Sequence, residues 1–223
     1  MSVSPPGHSR PSIYVVDTNI LYALFKGQHG FGAGKAVEER RDKTLQEKVI
    51  RLFETSEVVI PRFAFHEIIY QIFHVNIDLE NYDQWHKMRI SLFKQSLYSY
   101  IFSDRPGIRV SLAKKFDDEI GFNVALAKIS ASLFLKLKNR IKRQQERYPD
   151  FLNTNKREPK CLDGMDAALV GEFLSIALAN PGRQHGLISN DELVRLVVGD
   201  LKSAPEKKIG GFTIPENIFV TNF

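Results

Sequence analysis

The stretch from Ile13 to Leu24 constrains the fold of this chain more than any other part of the sequence. It opens with a short apolar, β-branched run, Ile13–Val16, which predicts a strand buried on both faces of a parallel sheet. The run ends at Asp17, and apolar residues then return at helical spacing. The carboxylate thus lies at the carboxyl end of a strand, which is where open α/β sheets bind their ligands.

Asp17 has two interpretations from the sequence alone. An aspartate in such a turn is a favoured N-cap for the helix that follows. A buried carboxylate without partners costs free energy, so Asp17 could instead hold a cation or accept hydrogen bonds. The choice depends on the other acidic residues of the chain.

The composition indicates one domain rather than several. The chain has 223 residues and 43% hydrophobic content, enough to bury a proper core. Residues 1–11 are rich in Ser, Pro and Gly, which predicts a disordered tail before a domain at 12–223. A long stretch at about 77–160 is predicted to be a helical insertion within that domain.

Charge and cysteine content limit the function classes. A net charge of +5 and a pI near 9.2 favour polyanionic partners. A single cysteine, Cys161, excludes an intramolecular disulfide and a cysteine-cluster metal site, and it fits a reducing compartment. The tail lacks the apolar core of a signal peptide, and no apolar run is long enough to cross a bilayer. These features predict a soluble, cytoplasmic protein without a membrane partner.

Three further acids follow predicted strands or open predicted helices. A strand at Glu57–Ile60 leads into an apolar helix that carries Glu67, and the strand Gly186–Ser189 is followed directly by Asn190-Asp191. Asp166 falls in the first turn of a small-residue helix. Two of these acids have a structural alternative. Glu67 could lie at a helix surface, and a helix dipole favours an acid in a first turn such as Asp166.

Parallel strands end at one edge of a sheet, so Asp17 and Asp191 can converge there, with Asp166 at a helix start on the same edge. Carboxylates gathered in this way repel one another unless hard cations lie among them. Oxygen ligands without His or Cys favour Mg²⁺ or Mn²⁺ over zinc. Acidic clusters with a basic rim suit phosphodiester hydrolysis. A predicted helix supplies such a rim at helical spacing, through Lys136, Arg140, Arg143 and Arg147.

Four short motifs, in order, resemble those of PIN-domain ribonucleases, the class that includes the VapC-type toxins. They are Val-Val-Asp17-Thr-Asn19, Ile-Pro61 followed by His-Glu67, Asp166-Ala-Ala-Leu-Val, and Ser189-Asn-Asp191. The resemblance covers roughly Ile13–Val75 and Cys161–Phe223, and the middle of this chain is considerably longer than is usual in PIN toxins. It implies a PIN-like three-layer α/β/α fold with a central, mainly parallel sheet and an extra helical insertion.

The resemblance also implies roles for individual residues. Asp17, Glu67, Asp166 and Asp191 would ligate Mg²⁺ or Mn²⁺ and position the attacking water. Asn19 and Ser189 would hold those carboxylates or contact the scissile phosphate. RNA is the implied substrate, cut to leave a 5′-phosphate and a 3′-hydroxyl. The toxin of a toxin–antitoxin pair is one implied role, with a small antitoxin protein as partner and a homodimer as assembly.

Other functions stay open at this point. A non-catalytic PIN-fold scaffold for RNA or protein is one, although degenerate members typically lose the acids and all four are present here. A DNA flap-type nuclease is another, but the sequence has no helix–hairpin–helix signature for branched DNA. An aspartyl phosphotransferase of the haloacid-dehalogenase pattern would need a second aspartate where Asn19 stands.

Overall fold

A sheet of five parallel strands organises the part of the chain that the structure describes. The structure, a computed structural model, describes residues 12–25, 36–74, 87, 91, 94–102, 108–113, 121–133, 164–204 and 207–223. The strands are β1 (Ile13–Val16), β2 (Glu57–Ile60), β3 (Arg109–Leu112), β4 (His185–Ile188) and β7 (Ile218–Thr221), in the spatial order β3–β2–β1–β4–β7. Between β4 and β7 in the chain, β5 (Lys208–Ile209) and β6 (Phe212–Thr213) pair as a separate antiparallel hairpin.

Helices cover both faces of the sheet. The described ones are α1 (Thr18–Tyr22), α2 (Ala36–Thr55), α3 (Arg62–His74), a π-helical turn (Lys94–Tyr98) that continues into α4 (Ser99–Ile101), α5 (121–133), α6 (Gly164–Ala179) and α7 (Glu192–Ser203). None of these described helices is both long and apolar enough to cross a bilayer.

Strand residues alternate between two hydrophobic cores, one on each face of the sheet. On one face, Ile13 and Val15 of β1 pack with α5, α6 and α7. On the other face, Val16 of β1 and Val58 and Ile60 of β2 pack with α1, α2 and α3. The chain therefore has the α/β fold class predicted from its sequence, with a parallel sheet between two layers of helices.

The strand order places a topological switch point beside β1. From β1 the chain proceeds to β2 and β3 on one side, and it later crosses to β4 and β7 on the other side. Open α/β sheets bind ligands in the crevice at such a point, outside the carboxyl ends of the strands. Asp17 directly follows β1 and Ser189 directly follows β4, so both residues lie at this crevice.

The predicted strands at Glu57–Ile60 and Gly186–Ser189 are confirmed, with a small shift at the ends of the second. The strand β3 and the helix α5 fall inside the range about 77–160, and they belong to the sheet and to one of its packing layers. The division into a domain with a helical insertion stays a prediction. The predicted tail at 1–11 lies outside the described residues.

The turn between β5 and β6 lies against the backbone of α5. Gly210 and Gly211 have φ angles of 58° and 85°, in the left-handed region that favours glycine. A Cβ atom on Gly210 would come within 2.7 Å of the backbone carbonyl of Lys128, whereas one on Gly211 would meet nothing within 4 Å. Both positions therefore require an unusual backbone conformation, and Gly210 also requires the absence of a side chain.

Gly210→Ala should lower the free energy of unfolding more than Gly211→Ala does. Each substitution places a Cβ in left-handed backbone, at a cost of about 1–2 kcal/mol. Gly210→Ala adds overpacking against Lys128, worth about 1–3 kcal/mol. Urea denaturation of the two variants measures the difference. Equal losses would mean that α5 shifts away without cost.

His185 is a buried titratable residue at the start of β4, between β1 and the edge strand β7. It is 0% exposed, pairs in register with Ile13 of β1 and Ile218 of β7, and finds no hydrogen-bond partner for either ring nitrogen among the described residues. Burial, together with the positive charge of nearby Arg183, lowers the pKa of His185 to about 4. The imidazole is therefore neutral in the folded protein at neutral pH.

The free energy of unfolding should fall as the pH drops from about 6.5 to about 4, because the unfolded chain then protonates His185 and the folded chain does not. A pKa of about 4 limits this loss to about 3 kcal/mol. His185→Leu removes the titrating group, so urea denaturation at neutral and acid pH should show a smaller acid-induced loss in this variant. The same loss in both proteins would contradict a neutral, buried imidazole.

Candidate active site

Asp17 accepts hydrogen bonds at both of its carboxylate oxygens. Its Oδ1 accepts from the backbone N–H of Thr18 at 2.6 Å, which makes Asp17 the N-cap of α1. Its Oδ2 accepts from the Ser189 hydroxyl at 2.5 Å and from Asn19 Nδ2 at 2.6 Å. Asp17 is buried, with 6% of its surface exposed. It is therefore a helix cap and also the centre of a buried polar cluster.

Ser189 and Asn19 join Asp17 to the loop that begins α7. While the Ser189 hydroxyl donates to Asp17, its oxygen accepts from the backbone N–H of Asp191 at 3.0 Å. Asn19 Oδ1 accepts from the backbone N–H of Asn190 at 3.1 Å. The turn after β1 and the turn after β4 are thus tied together by side chains as well as by the sheet.

Asp191 is the N-cap of α7. Its Oδ1 accepts from the backbone N–H of Leu193 at 2.8 Å and from that of Val194 at 3.4 Å. Capping fixes the position of this carboxylate at the crevice, beside Asp17. The predicted convergence of acids from two strand ends is therefore present in the structure.

Glu67 reaches the cluster from α3 through a hydrogen bond to α1. The Thr18 hydroxyl donates to Glu67 Oε2 at 2.6 Å. Thr18 is buried, with 5% of its surface exposed, and Glu67 is half-buried. Glu67 is therefore not a solvated residue on the outer surface of its helix, which was the structural alternative considered from the sequence.

The electrostatics of Asp17 show that three acids lie within interaction range. Burial raises the pKa of Asp17, and hydrogen bonds from Ser189 and Thr18 lower it. The negative charges of Asp191 and Glu67 both raise this pKa further. The carboxylate of Asp17 therefore lies close to two other carboxylates in a site with little water. A bound cation would offset the electrostatic repulsion among them.

The structure gives less information about the other residues predicted for the site, Asp166 and the basic residues. Asp166 is half-buried in the first turn of α6, as predicted. Within the described part of the chain, no three His, Cys, Asp or Glu side chains stand in an arrangement that would already hold a metal ion. The predicted basic residues lie outside the described residues, namely Lys136, Arg140, Arg143 and Arg147.

An ion pair between the half-buried Arg62 and the buried Glu172 joins α3 and α6 across the two helical layers. Glu172 is 0% exposed, and its Oε1 accepts from Arg62 Nε at 3.0 Å. Its Oε2 accepts from the backbone N–H of Arg62 at 2.9 Å, at the first residue of α3. Burial raises the pKa of Glu172, and the hydrogen bonds and charge of Arg62 oppose that rise. The carboxylate thus caps α3 from a different helix.

Thr18 and Glu172 were not among the residues predicted from the sequence. Glu172 did carry a signal, because it is an acid within the apolar run of α6, where a charged side chain needs a partner. Thr18 carried a weaker one. It is a hydroxyl residue directly after Asp17, but the spacing of residues in the sequence does not show that its partner is Glu67 on α3.

The parallel sheet, its switch point and this cluster define an α/β protein with an acidic site at the carboxyl edge of its sheet. Comparisons with known proteins assign no family: no family model matches the chain, and no curated protein matches it. Among solved structures, VapBC2 from Rickettsia felis, bound to a DNA fragment from its promoter, is similar at 10% sequence identity and a TM-score of 0.41. The similarity covers 95% of this chain and 98% of that chain. Values this low indicate neither a substrate nor a partner.

Proposed function

We propose that this chain is a metal-dependent endoribonuclease that hydrolyses RNA phosphodiester bonds. One observation carries the proposal: three carboxylates from separate elements, Asp17, Glu67 and Asp191, interact at the crevice of the switch point. Like charges in a partly buried site favour a hard cation among them, and oxygen ligands favour Mg²⁺ or Mn²⁺. Acidic sites that hold these ions suit the hydrolysis of phosphodiesters.

The donor set fits this kind of ion. Asp17, Glu67, Asp166 and Asp191 would hold it, all through carboxylate oxygens. Burial is the main cause of the raised pKa of Asp17, and the charges of Asp191 and Glu67 add to it; a cation would neutralise those two charges. When bound, the ion would supply an activated water and offset the charge that develops on the phosphate.

The residues around the acids would keep them in place during the reaction. Ser189 and Asn19 restrict rotation of the Asp17 carboxylate by holding its Oδ2 from two directions. Both are themselves bonded to the backbone that follows β4, so they cannot move independently of Asp191. Residues fixed in this way hold ligands at the geometry that the chemistry needs. A contact of Asn19 or Ser189 with the scissile phosphate is part of the proposal.

RNA is proposed as the substrate on the charge of the chain and on its resemblance to PIN-domain ribonucleases. A net charge of +5 favours binding to polyanions. The basic residues that would contact phosphates are those of one predicted helix, Lys136, Arg140, Arg143 and Arg147. On the resemblance to VapC-type toxins, we also propose a small antitoxin protein and a second copy of the chain as partners.

Cleavage of a mixed tRNA and mRNA pool in Mg²⁺ or Mn²⁺ tests the proposal. Cleavage should stop with EDTA and in Asp191→Asn, and the fragments should carry 5′-phosphate ends. Glu216→Gln is the matched control, because this carboxylate is 86% exposed and pairs only across the surface with Lys207. Cleavage that continues in EDTA would contradict the metal dependence.

A non-catalytic scaffold for RNA or protein is the second candidate. It is favoured by the roles of Asp17 and Asp191 as helix N-caps, which give both acids a structural use without catalysis. In the same experiment, a scaffold would bind RNA with strong salt dependence and cleave none of it.

A further inference from the structure

Thr18 holds two carboxylates of the candidate site through two separate donors. Its backbone N–H donates to Asp17 Oδ1 at 2.6 Å, and its hydroxyl donates to Glu67 Oε2 at 2.6 Å. Because both donors belong to one residue in the first turn of α1, they fix the orientation of one carboxylate relative to the other. With 5% of its surface exposed, Thr18 is also shielded from competing water.

The bond to Glu67 connects α1 and α3, two helices that pack against each other on one face of the sheet. Glu67 lies 49 positions from Thr18 in the chain, on α3, and its long side chain can adopt many rotamers. A hydrogen bond to an ionised carboxylate is shorter and stronger than one between neutral groups. The Thr18 hydroxyl therefore selects one orientation of the Glu67 carboxylate, the one that faces α1 and Asp17.

Ser189 makes the equivalent connection on the other side of Asp17. Its hydroxyl donates to Asp17 Oδ2 while its oxygen accepts from the backbone N–H of Asp191. Two hydroxyl residues thus link three acids in a row, with Asp17 in the middle. Only the Ser189 half of this arrangement was predicted from the sequence.

We propose that Thr18 is a positioning residue of the metal site. Its hydroxyl fixes Glu67 against Asp17 and thereby raises the affinity of the site for Mg²⁺ or Mn²⁺. The inference rests on the proposed function, since it concerns the same acids. Groups that orient ligands in this way typically change metal affinity by about 10- to 100-fold when removed.

The test is a calorimetric titration of the full chain with Mn²⁺ alone, in the absence of RNA. Thr18→Val removes the hydroxyl and keeps the shape of the side chain, and we expect it to weaken Mn²⁺ binding by about 10- to 100-fold. Thr18→Ser restores the hydroxyl and should bind Mn²⁺ like the wild type. Thr55→Val is the matched control, because Thr55 is exposed and its hydroxyl donates to the backbone carbonyl of Arg51 within its own helix.

Two readouts separate positioning from a purely structural role. Mn²⁺ should raise the Tm of the wild type and of Thr18→Ser by more than it raises that of Thr18→Val, since stabilisation by a ligand follows its affinity. In a Glu67→Ala background, Thr18→Val should have no further effect on Mn²⁺ affinity, because the hydroxyl then has no carboxylate to orient. If Thr18→Val does not fold, Thr18→Ala takes its place in each titration.

Each remaining outcome counts against the inference. A lower Tm without metal but an unchanged Mn²⁺ affinity in Thr18→Val would make the bond to Glu67 structural and overturn the positioning role alone. An equal effect of Thr18→Val with and without Glu67 would also overturn it. A wild-type chain that binds no Mn²⁺ would overturn the proposed function together with the inference.

Discussion

Asp191→Asn is expected to abolish metal-dependent RNA cleavage and to leave the fold intact. The amide removes the charge but keeps the side-chain oxygen that accepts from the backbone N–H groups of Leu193 and Val194. Asn and Asp are equally good N-caps, so α7 should keep its stability. Loss of a ligating carboxylate should lower the cleavage rate by more than about 100-fold, beyond the effect of residues that only orient a ligand. Cleavage rates and urea denaturation of the same sample provide the measurement.

Asp17→Asn tests the same role less directly than Asp191→Asn does. In one orientation its new amide nitrogen would face both Asn19 Nδ2 and the Ser189 hydroxyl, and in the other it would face the backbone N–H of Thr18; all three donate to the present carboxylate. A loss of activity there would combine the removed charge with a rearranged hydrogen-bond network. Full activity in Asp191→Asn, measured beside an active Glu216→Gln control, would contradict a role for Asp191 as a ligand.

Arg62→Met is expected to lower the free energy of unfolding by about 3–5 kcal/mol at neutral pH. The substitution leaves Glu172, which is 0% exposed, with backbone donors at the start of α3 but without its cation. It also removes the guanidinium that lies 5.5 Å from the centre of the Phe122 ring. The remaining carboxylate cannot reach water, so its ionised form becomes costly.

The loss in Arg62→Met should depend on pH with a definite sign. Burial already raises the pKa of Glu172, and removal of Arg62 raises it further. The folded chain then holds a proton that the unfolded chain releases, so stability is lost as the pH rises through the folded pKa. Relative to the wild type, the deficit should therefore shrink when urea denaturation is repeated at acid pH.

Lys207→Met supplies the control for Arg62→Met. Its ion pair with Glu216 spans 3.3 Å, but the two side chains are 48% and 86% exposed, and surface pairs of this kind contribute about 0–1 kcal/mol. A comparable loss in both variants, or a loss in Arg62→Met that is the same at every pH, would contradict the account of Glu172 as a buried, paired carboxylate.

The elements around the site were predictable because their signals are local. The β-branched runs at Ile13–Val16 and Glu57–Ile60 are fully apolar on their buried faces and end abruptly at a turn. Asp17 directly follows β1 and Asp191 comes three residues after the end of β4, and the shared edge of a parallel sheet then brings them together. The sequence alone did not show whether Asp17 is a helix N-cap or a member of an acidic cluster, because its carboxylate has both roles.

The contacts that hold the acids were not predictable in the same way. The Thr18–Glu67 bond joins residues 49 positions apart, and the Arg62–Glu172 pair joins residues 110 positions apart. Neither pair follows from a helical or strand period, since the first depends on how α1 and α3 pack within one layer and the second on how α3 and α6 meet across two layers. Strand order is likewise a tertiary property: the placement of β1 between β2 and β4 rests on long-range pairing.

The central position of β1 has a consequence for the chain as it is synthesised. One neighbour of β1, β4, contributes Ser189, which lies 172 positions after Asp17. During translation, β1 and β2 emerge early, while one edge of β1 stays unpaired and apolar until β4 leaves the ribosome. The Asn19 amide that donates to Asp17 is made directly after it, whereas the Ser189 hydroxyl arrives only after β4 has been synthesised. A chain that ends before β4 therefore lacks the Ser189 donor to Asp17, and the crevice between β1 and β4 forms only after β4 has been made.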